Sequence, residues 1–223
     1  MKTKLNLKTI GLALICLLTI STSYGQRVTS NDNQVETLFN RDQNITHGGY
    51  AGLEFGYTPV AGRSSFLAGF HTAWIVDHTL EIGINAKGFV TNPLPDLLLD
   101  NMNYMYTGGY GGLHIAANIM GNKPINVSFP ILLGAGGISY IRTGYNGYYD
   151  EFYPESHYAY FVVEPGIDLQ LNVSRFFRVA AGVSYRYTSD IYLVYSDASA
   201  DPIADPSMLR GLNASIKLKF GKF

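Results

Sequence analysis

The sequence predicts an all-β chain closed into an antiparallel up-and-down barrel of about eight strands, of the kind that crosses a membrane. The clearest sign lies between Ala159 and Tyr187. Phe161, Val163, Pro165, Ile167, Leu169 and Leu171 alternate with Val162, Glu164, Gly166, Asp168, Gln170 and Asn172, and after Val173-Ser174-Arg175 the pattern resumes. Successive side chains of a strand point to opposite faces, so strict period two means extended strands. Throughout the chain one face of each such segment is uncharged and the other carries the charges. The connections between segments also alternate between short and long, as in outer-membrane barrels with short periplasmic turns and long outer loops.

In chain order, residues 1–25 read as a cleaved secretory signal peptide. Lys2, Lys4 and Lys8 lead into an apolar run from Ile10 to Ile20, and Ser23-Tyr24-Gly25 places small residues before a cut ahead of Gln26. That run, at about 11 residues, is too short to span hydrocarbon. Cys16 is the only cysteine and lies inside the signal. The exported chain therefore has no disulfide, Cys-based metal site or Cys nucleophile. Residues 26–47 are polar, with Val35, Leu38 and Phe39 as apolar anchors, and read as a periplasmic arm; residues 48–223 form the barrel.

The predicted lipid faces run through the whole of that barrel. The first strand offers Ala51, Leu53, Phe55 and Tyr57, and the second Phe66, Ala68, Phe70, Thr72, Trp74 and Val76. The third offers Leu80, Ile82, Ile84, Ala86 and Val90, and the fourth Leu113, Ile115, Ala117 and Ile119. Val127, Phe129, Ile131, Leu133 and Ala135 mark the fifth. The sixth and seventh form the hairpin described above, the seventh with Phe177, Val179, Ala181, Val183, Tyr185 and Tyr187 outward; the eighth has Leu212, Ala214, Ile216, Leu218 and Phe220. Short turns are expected at 77–79, 121–123 and 173–175, and long loops at 91–103, 142–156 and 189–207, with a shorter outer loop at 59–64.

Charge decides which face points inward. A soluble lipocalin-like carrier would put the apolar face inside and cover its exterior with Lys and Glu. The polar faces hold only Glu54, Glu81, Lys87, Glu164, Asp168, Arg178, Arg186, Lys217 and Lys219, interspersed with glycines. Small residues and nearly balanced charges suit a narrow lumen, which eight strands leave just filled by side chains. These nine residues are the expected lumen charge network, plugging the barrel. Folding the hairpin about Ser174 sets Arg178 diagonal to Asp168 and Arg186 diagonal to Glu164, and closure brings Glu54 toward Lys217 or Lys219. Trp74, Phe177 and Phe220 near the turns, with Tyr57, Phe66 and Tyr187 near the loops, form two aromatic girdles. Phe223 is out of phase with the lipid face of the last strand, which weakens the usual terminal signal for the insertion machinery.

The runs Thr37-Leu38-Phe39, His47-Gly48-Gly49-Tyr50, Phe129 to Gly137, Glu164-Pro165-Gly166, Arg175-Phe176-Phe177-Arg178 and Tyr185-Arg186-Tyr187 carry a resemblance. They resemble a family of small outer-membrane β-barrel proteins of Bacteroidota, with an outer membrane protein beta-barrel domain. The resemblance implies a fold and a place, the outer membrane of a Gram-negative cell, and supplies no catalytic residues.

Candidate chemistry is sparse. The 17 acidic and 16 basic residues become 17 against 13 once the signal lysines are removed, with no polybasic run, so nucleic acid is not an expected partner. His71 and His114 face the lumen without a Ser and an acid at convincing spacing, and with His47, His78 and His157 they do not converge on a metal. No catalytic, cofactor or metal residues are assigned, and no cofactor is expected. The glycines at 108–109 and 134–137 lie in strands, where they serve close packing and not phosphate binding. The candidate recognition surface is the loop bearing Tyr145, Tyr148, Tyr149, Phe152 and Tyr153; Asp190, Asp197, Asp201 and Asp205 follow in the next loop. Expected partners are outer-membrane lipid and lipopolysaccharide, the barrel insertion machinery and an extracellular ligand at the loops. The leading function is structural or surface-recognition work without catalysis; a lipid-modifying hydrolase or acyltransferase and a soluble carrier are the alternatives.

Overall fold

The computed structural model describes residues 46–96, 103–143, 154–195 and 201–223. The expected signal peptide, nearly all of the expected arm, the aromatic residues at 145–153 and Asp197 lie outside these residues.

Eight long strands and one two-residue rung form a single antiparallel sheet. The strands are β1 (His47–Val60), β2 (Arg63–Val76), β3 (Leu80–Thr91), β4 (Leu94–Pro95), β5 (Asn103–Ile119), β6 (Ile125–Thr143), β7 (Pro154–Asn172), β8 (Phe177–Thr188) and β9 (Gly211–Lys222). Each long strand pairs with the next long strand, β3 with β5 among them, and β1 pairs with β9, so the sheet closes on itself. The rung β4 extends only the margin of β5, through Leu94↔Tyr104 and Pro95↔Asn103. Among the described residues no helix is long and apolar enough to cross a membrane.

Local chemistry explains the hairpins. Asp77 and His78 both adopt positive φ, as the tight β2–β3 turn needs, and the Thr79 N–H donates to Val76 O at 3.0 Å. At the β7–β8 turn the Val173 and Ser174 N–H groups both donate to Phe177 O at 3.0 Å. The connection expected as a loop at 59–64 is instead a two-residue turn, Ala61-Gly62, with φ of 50° and 73°. Its strands stay paired to the tip, Pro59↔Ser64 and Val60↔Arg63. Strands β5, β6 and β7 also run well past their apolar faces toward the loops, so ladder pairing consumes part of what reads as loop. The β6–β7 ladder skips Phe129 and Pro130 opposite Gly166 and Ile167, next to two prolines that lack the N–H a ladder needs.

The barrel is inverted relative to a soluble protein. Phe161 is 76% exposed, Leu212 66% and Ile84 61%, while Arg178 and Lys219 are each 1% exposed. The outward residues of the strands are those expected from period two except Val76, which is buried at the end of β2, and the arrangement of a soluble carrier, apolar inside, is overturned by this exposure. Phe177 and Phe220 stack on the outer surface with ring centroids 4.8 Å apart. Phe223 turns the other way. Its ring packs 5.8 Å from Tyr50 and lies under the Arg178 guanidinium at 4.2 Å, which accounts for its phase: it belongs to the interior at the turn end.

Candidate functional site: the barrel interior and its mouth

All nine charged residues expected in the lumen are buried there: Glu54, Glu81, Lys87, Glu164, Asp168, Arg178, Arg186, Lys217 and Lys219. They are brought there by the register of the strands, because each sits in the inward phase of its own ladder. Eight of them form three groups, and Arg186 stands apart on backbone carbonyls.

The group nearest the turns centres on Glu81. Its Oε2 accepts from Tyr50 Oη at 2.6 Å and from Lys219 Nζ at 3.2 Å, and its Oε1 accepts from Asn118 Nδ2 at 2.9 Å. His114 Nε2 lies 3.6 Å and Arg178 Nη1 3.8 Å from the same carboxylate. A buried carboxylate survives only when its lone pairs are taken up, and here five side chains surround it. The second group is the pair Lys217–Asp168, with Nζ 2.8 and 2.7 Å from the two carboxylate oxygens. Gly182 makes room for it, since a Cβ there would strike Asp168 Oδ1. In the third group Lys87 Nζ bridges Glu54 at 2.9 Å and Glu164 at 2.8 Å. The Ser215 hydroxyl also donates to Glu54 Oε1, and the Ser184 and Tyr110 hydroxyls donate to Glu164, whose two oxygens are both engaged, while Glu54 Oε2 is buried without a hydrogen-bond partner.

The individual pairings differ from the expected ones. Arg178 does not meet Asp168; it donates to Asn172 Oδ1 at 2.6 Å, Gln170 Oε1 at 2.7 Å and Gly121 O at 3.3 Å. Arg186 does not meet Glu164 but donates to the carbonyls of Leu209 at 2.7 Å and Pro59 at 3.1 Å. Its guanidinium lies over the Phe89 and Tyr110 rings, 5.3 and 5.5 Å away. Closure does set Glu54 opposite Lys217 in the β1–β9 ladder, as expected, but the ion pair that Glu54 makes is with Lys87. The reason is geometric: in a narrow barrel a long side chain reaches across the lumen, so diagonal neighbours on one hairpin compete with residues from the far wall. Sequence reasoning also missed Tyr50, Tyr110, Asn118, Ser184 and Ser215. Each shares the inward phase of a charged neighbour, which was the available signal.

At the loop end the lumen is apolar. Val60, Leu67, Phe89, Tyr106, Tyr110, Leu132, Ile138 and Tyr160 pack with Ile191, Leu193, Met208 and Leu209 in one cluster. The last four come from the connection after β8, which the sequence suggests is a solvated acidic loop. Its described parts instead fold back over the mouth. Ile203 N donates to Leu193 O at 2.9 Å, and Ala61 N donates to Met208 O at 2.9 Å. Asp96 ties this cap to the wall, accepting from Tyr140 Oη at 2.7 Å and Tyr195 Oη at 2.8 Å. Burial and that hydrogen bond push the Tyr195 hydroxyl well above its usual range. Of the loop acids, Asp190 pairs with Arg210 at 2.5 Å, and Asp201 is exposed.

His71 and His114 are in the lumen with ring centroids 6.3 Å apart, away from either rim. The close approach of His71 to β1 needs a glycine, since a Cβ at Gly52 would lie 2.7 Å from His71 Cε1. His47 stacks on Trp74 at 5.4 Å. Among the described residues no three His, Cys, Asp or Glu side chains are placed to hold a metal ion.

No protein-family model matches the sequence, and no curated protein matches it. Solved structures do. Neisserial surface protein A superposes with a TM-score of 0.53 at 10% identity, over 81% of this chain and 100% of that one. A major outer membrane protein from Thermus thermophilus gives a TM-score of 0.49 at 12% identity, over 78% of this chain and 100% of that one. Ail, the attachment invasion locus protein of Yersinia pestis, in complex with the heparin analogue sucrose octasulfate, gives 0.37 at 12% identity, over 79% and 96%. The first likeness is one of fold: the chain is a closed eight-stranded barrel of the outer-membrane type.

Proposed function

We propose that this protein is an integral outer-membrane barrel whose lumen is plugged, doing structural or surface-recognition work at the cell surface without catalysing a reaction. The observation that carries the reading is the inversion of polarity. A continuous apolar exterior has no stable place in water, whereas a closed sheet takes up its backbone groups in its own ladders, as hydrocarbon demands. The plug is supported by the three interior charge groups and by the cap of Ile191, Leu193, Met208 and Leu209.

In this reading the turns face the periplasm and the loops face outward, where they meet lipopolysaccharide and an extracellular ligand; the Bacteroidota assignment rests on the motif resemblance alone. The lipid-modifying alternative needs a His, a Ser and an acid at one rim. His71 and His114 lie deep in the lumen, and the Glu81 carboxylate beside His114 is already filled. Fractionation of cells expressing the full chain is the test. The protein should sediment with outer membranes and migrate faster unboiled than boiled in an electrophoretic gel; recovery in the soluble periplasm without detergent would refute the assignment.

A further inference from the structure

At the loop end a cavity of about 460 Å³ opens between the Ala61-Gly62 turn and the segment 201–210, with Arg63, Tyr106, Met208 and Arg210 among the residues that surround it. That volume lies in the range of small-molecule sites and exceeds what a bare inorganic anion fills. Two guanidinium groups and one carboxylate, Asp205, border it. Asp205 turns its Oδ1 to Ser207, accepting from the backbone N–H at 2.8 Å and the hydroxyl at 2.5 Å. Arg210 is also engaged. It donates to Asp190 and to Thr188 O, and its guanidinium lies over Tyr187.

Arg63 differs. Its one side-chain hydrogen bond runs from Nη1 to Tyr104 O at 3.3 Å, and among the described residues no carboxylate lies within ion-pair reach of it. A guanidinium presents five donors in a planar fork, so most of its capacity is unspent. Its position is nevertheless fixed, because it stacks over the Tyr106 ring at 5.1 Å. A cation held in place beside a cavity, with its donors unfilled, is preorganised for an oxyanion.

We propose that this cavity binds a small organic anion of about monosaccharide size, its carboxylate or phosphate paired with Arg63 and its body against Ala204 and Met208. A free sugar phosphate and the phosphorylated sugar of a lipid headgroup present the same chemistry. The site depends on the folded mouth of the barrel and not on which side of the membrane the loops face, so its failure and that of the orientation above are separable.

The test titrates the full chain, refolded in detergent, with glucose 6-phosphate and with glucuronate, glucose serving as the neutral control. One or both acids should bind saturably at one site per barrel, and glucose should not. Arg63→Gln should weaken binding at least tenfold. Ala204→Trp, which fills the cavity from the loop and leaves Arg63 in place, should do the same, and it decides the matter if Arg63→Gln does not fold. Undiminished binding in the variants, or no saturable binding of either acid, overturns the site. In nanodiscs containing phosphorylated lipopolysaccharide, lost binding of glucose 6-phosphate supports the site with the headgroup as occupant; retained binding supports it with a free solute.

Discussion

Asp168 shows how a single residue is chosen by the closed barrel and not by its own hairpin. Its carboxylate lies over Gly182 and meets Lys217 from β9, while Arg178 spends its donors on two amides and a carbonyl. Removing one member of a buried pair strands the other, at a cost of about 3 to 5 kcal/mol, whereas removing both leaves no orphan charge. Lys217→Met should therefore destabilise the folded barrel by about that amount, and Lys217→Met with Asp168→Leu should recover much of it. Urea unfolding in lipid of the two single variants and the double variant measures the coupling directly. The same cycle on Arg178 and Asp168 should give a much smaller coupling. A coupling as large as that of Lys217 would mean that the two residues meet after all.

At the scale of the strand, the alternation that is easiest to read is also the most demanding. Ile167 and Val183 are paired on β7 and β8 and are both well exposed on the outer surface. In a bilayer they face hydrocarbon, where an Arg near the midplane costs about 2 to 4 kcal/mol. Ile167→Arg or Val183→Arg should lower the yield of heat-modifiable barrel in lipid, while Asn122→Arg at the β5–β6 turn should not. Normal folding of both strand variants would reverse the assignment of faces. The inward phase behaves differently, since it tolerates charge only where partners from other strands converge. That is why Lys87 needs both Glu54 and Glu164.

For the whole molecule the proposed plug implies a barrel that separates two compartments without joining them. Charged groups fill the middle of the lumen, and the cap after β8 covers the loop end, fastened by Arg186 to Leu209 O and by Asp96 to Tyr195. Planar bilayers containing the folded protein should show no steady single-channel conductance. A stable open level would mean a wet lumen. Cysteines introduced at Asp201 and Asn122 then test the orientation, because Asp201 lies in the segment after β8 and Asn122 in the β5–β6 turn, at opposite ends. A membrane-impermeant thiol reagent should label the first on intact cells and leave the second unlabelled. Equal labelling of both would sink the orientation.

Period two by itself determined the eight strands, their two faces and the short turns at 77–79, 121–123 and 173–175, because side-chain direction in a strand is a local property of the backbone. It also marked which charges turn inward. Their partners were not legible, since closure of the sheet brings β1 beside β9 and β3 beside β5, and long side chains then meet across a lumen that no single hairpin contains. Phe223, out of phase on its strand, is placed by Tyr50 and Arg178, which only the closed barrel sets beside it. The acids of the segment after β8 read as solvated loop, yet Ile191, Leu193 and Leu209 are completely buried. Ile191-Tyr192-Leu193-Val194-Tyr195 is a short apolar run whose burial alternates, but nothing in so short a run says what covers it, and what fixes it is a hole of matching chemistry, the aromatic mouth of the barrel, which exists only when the strands have closed.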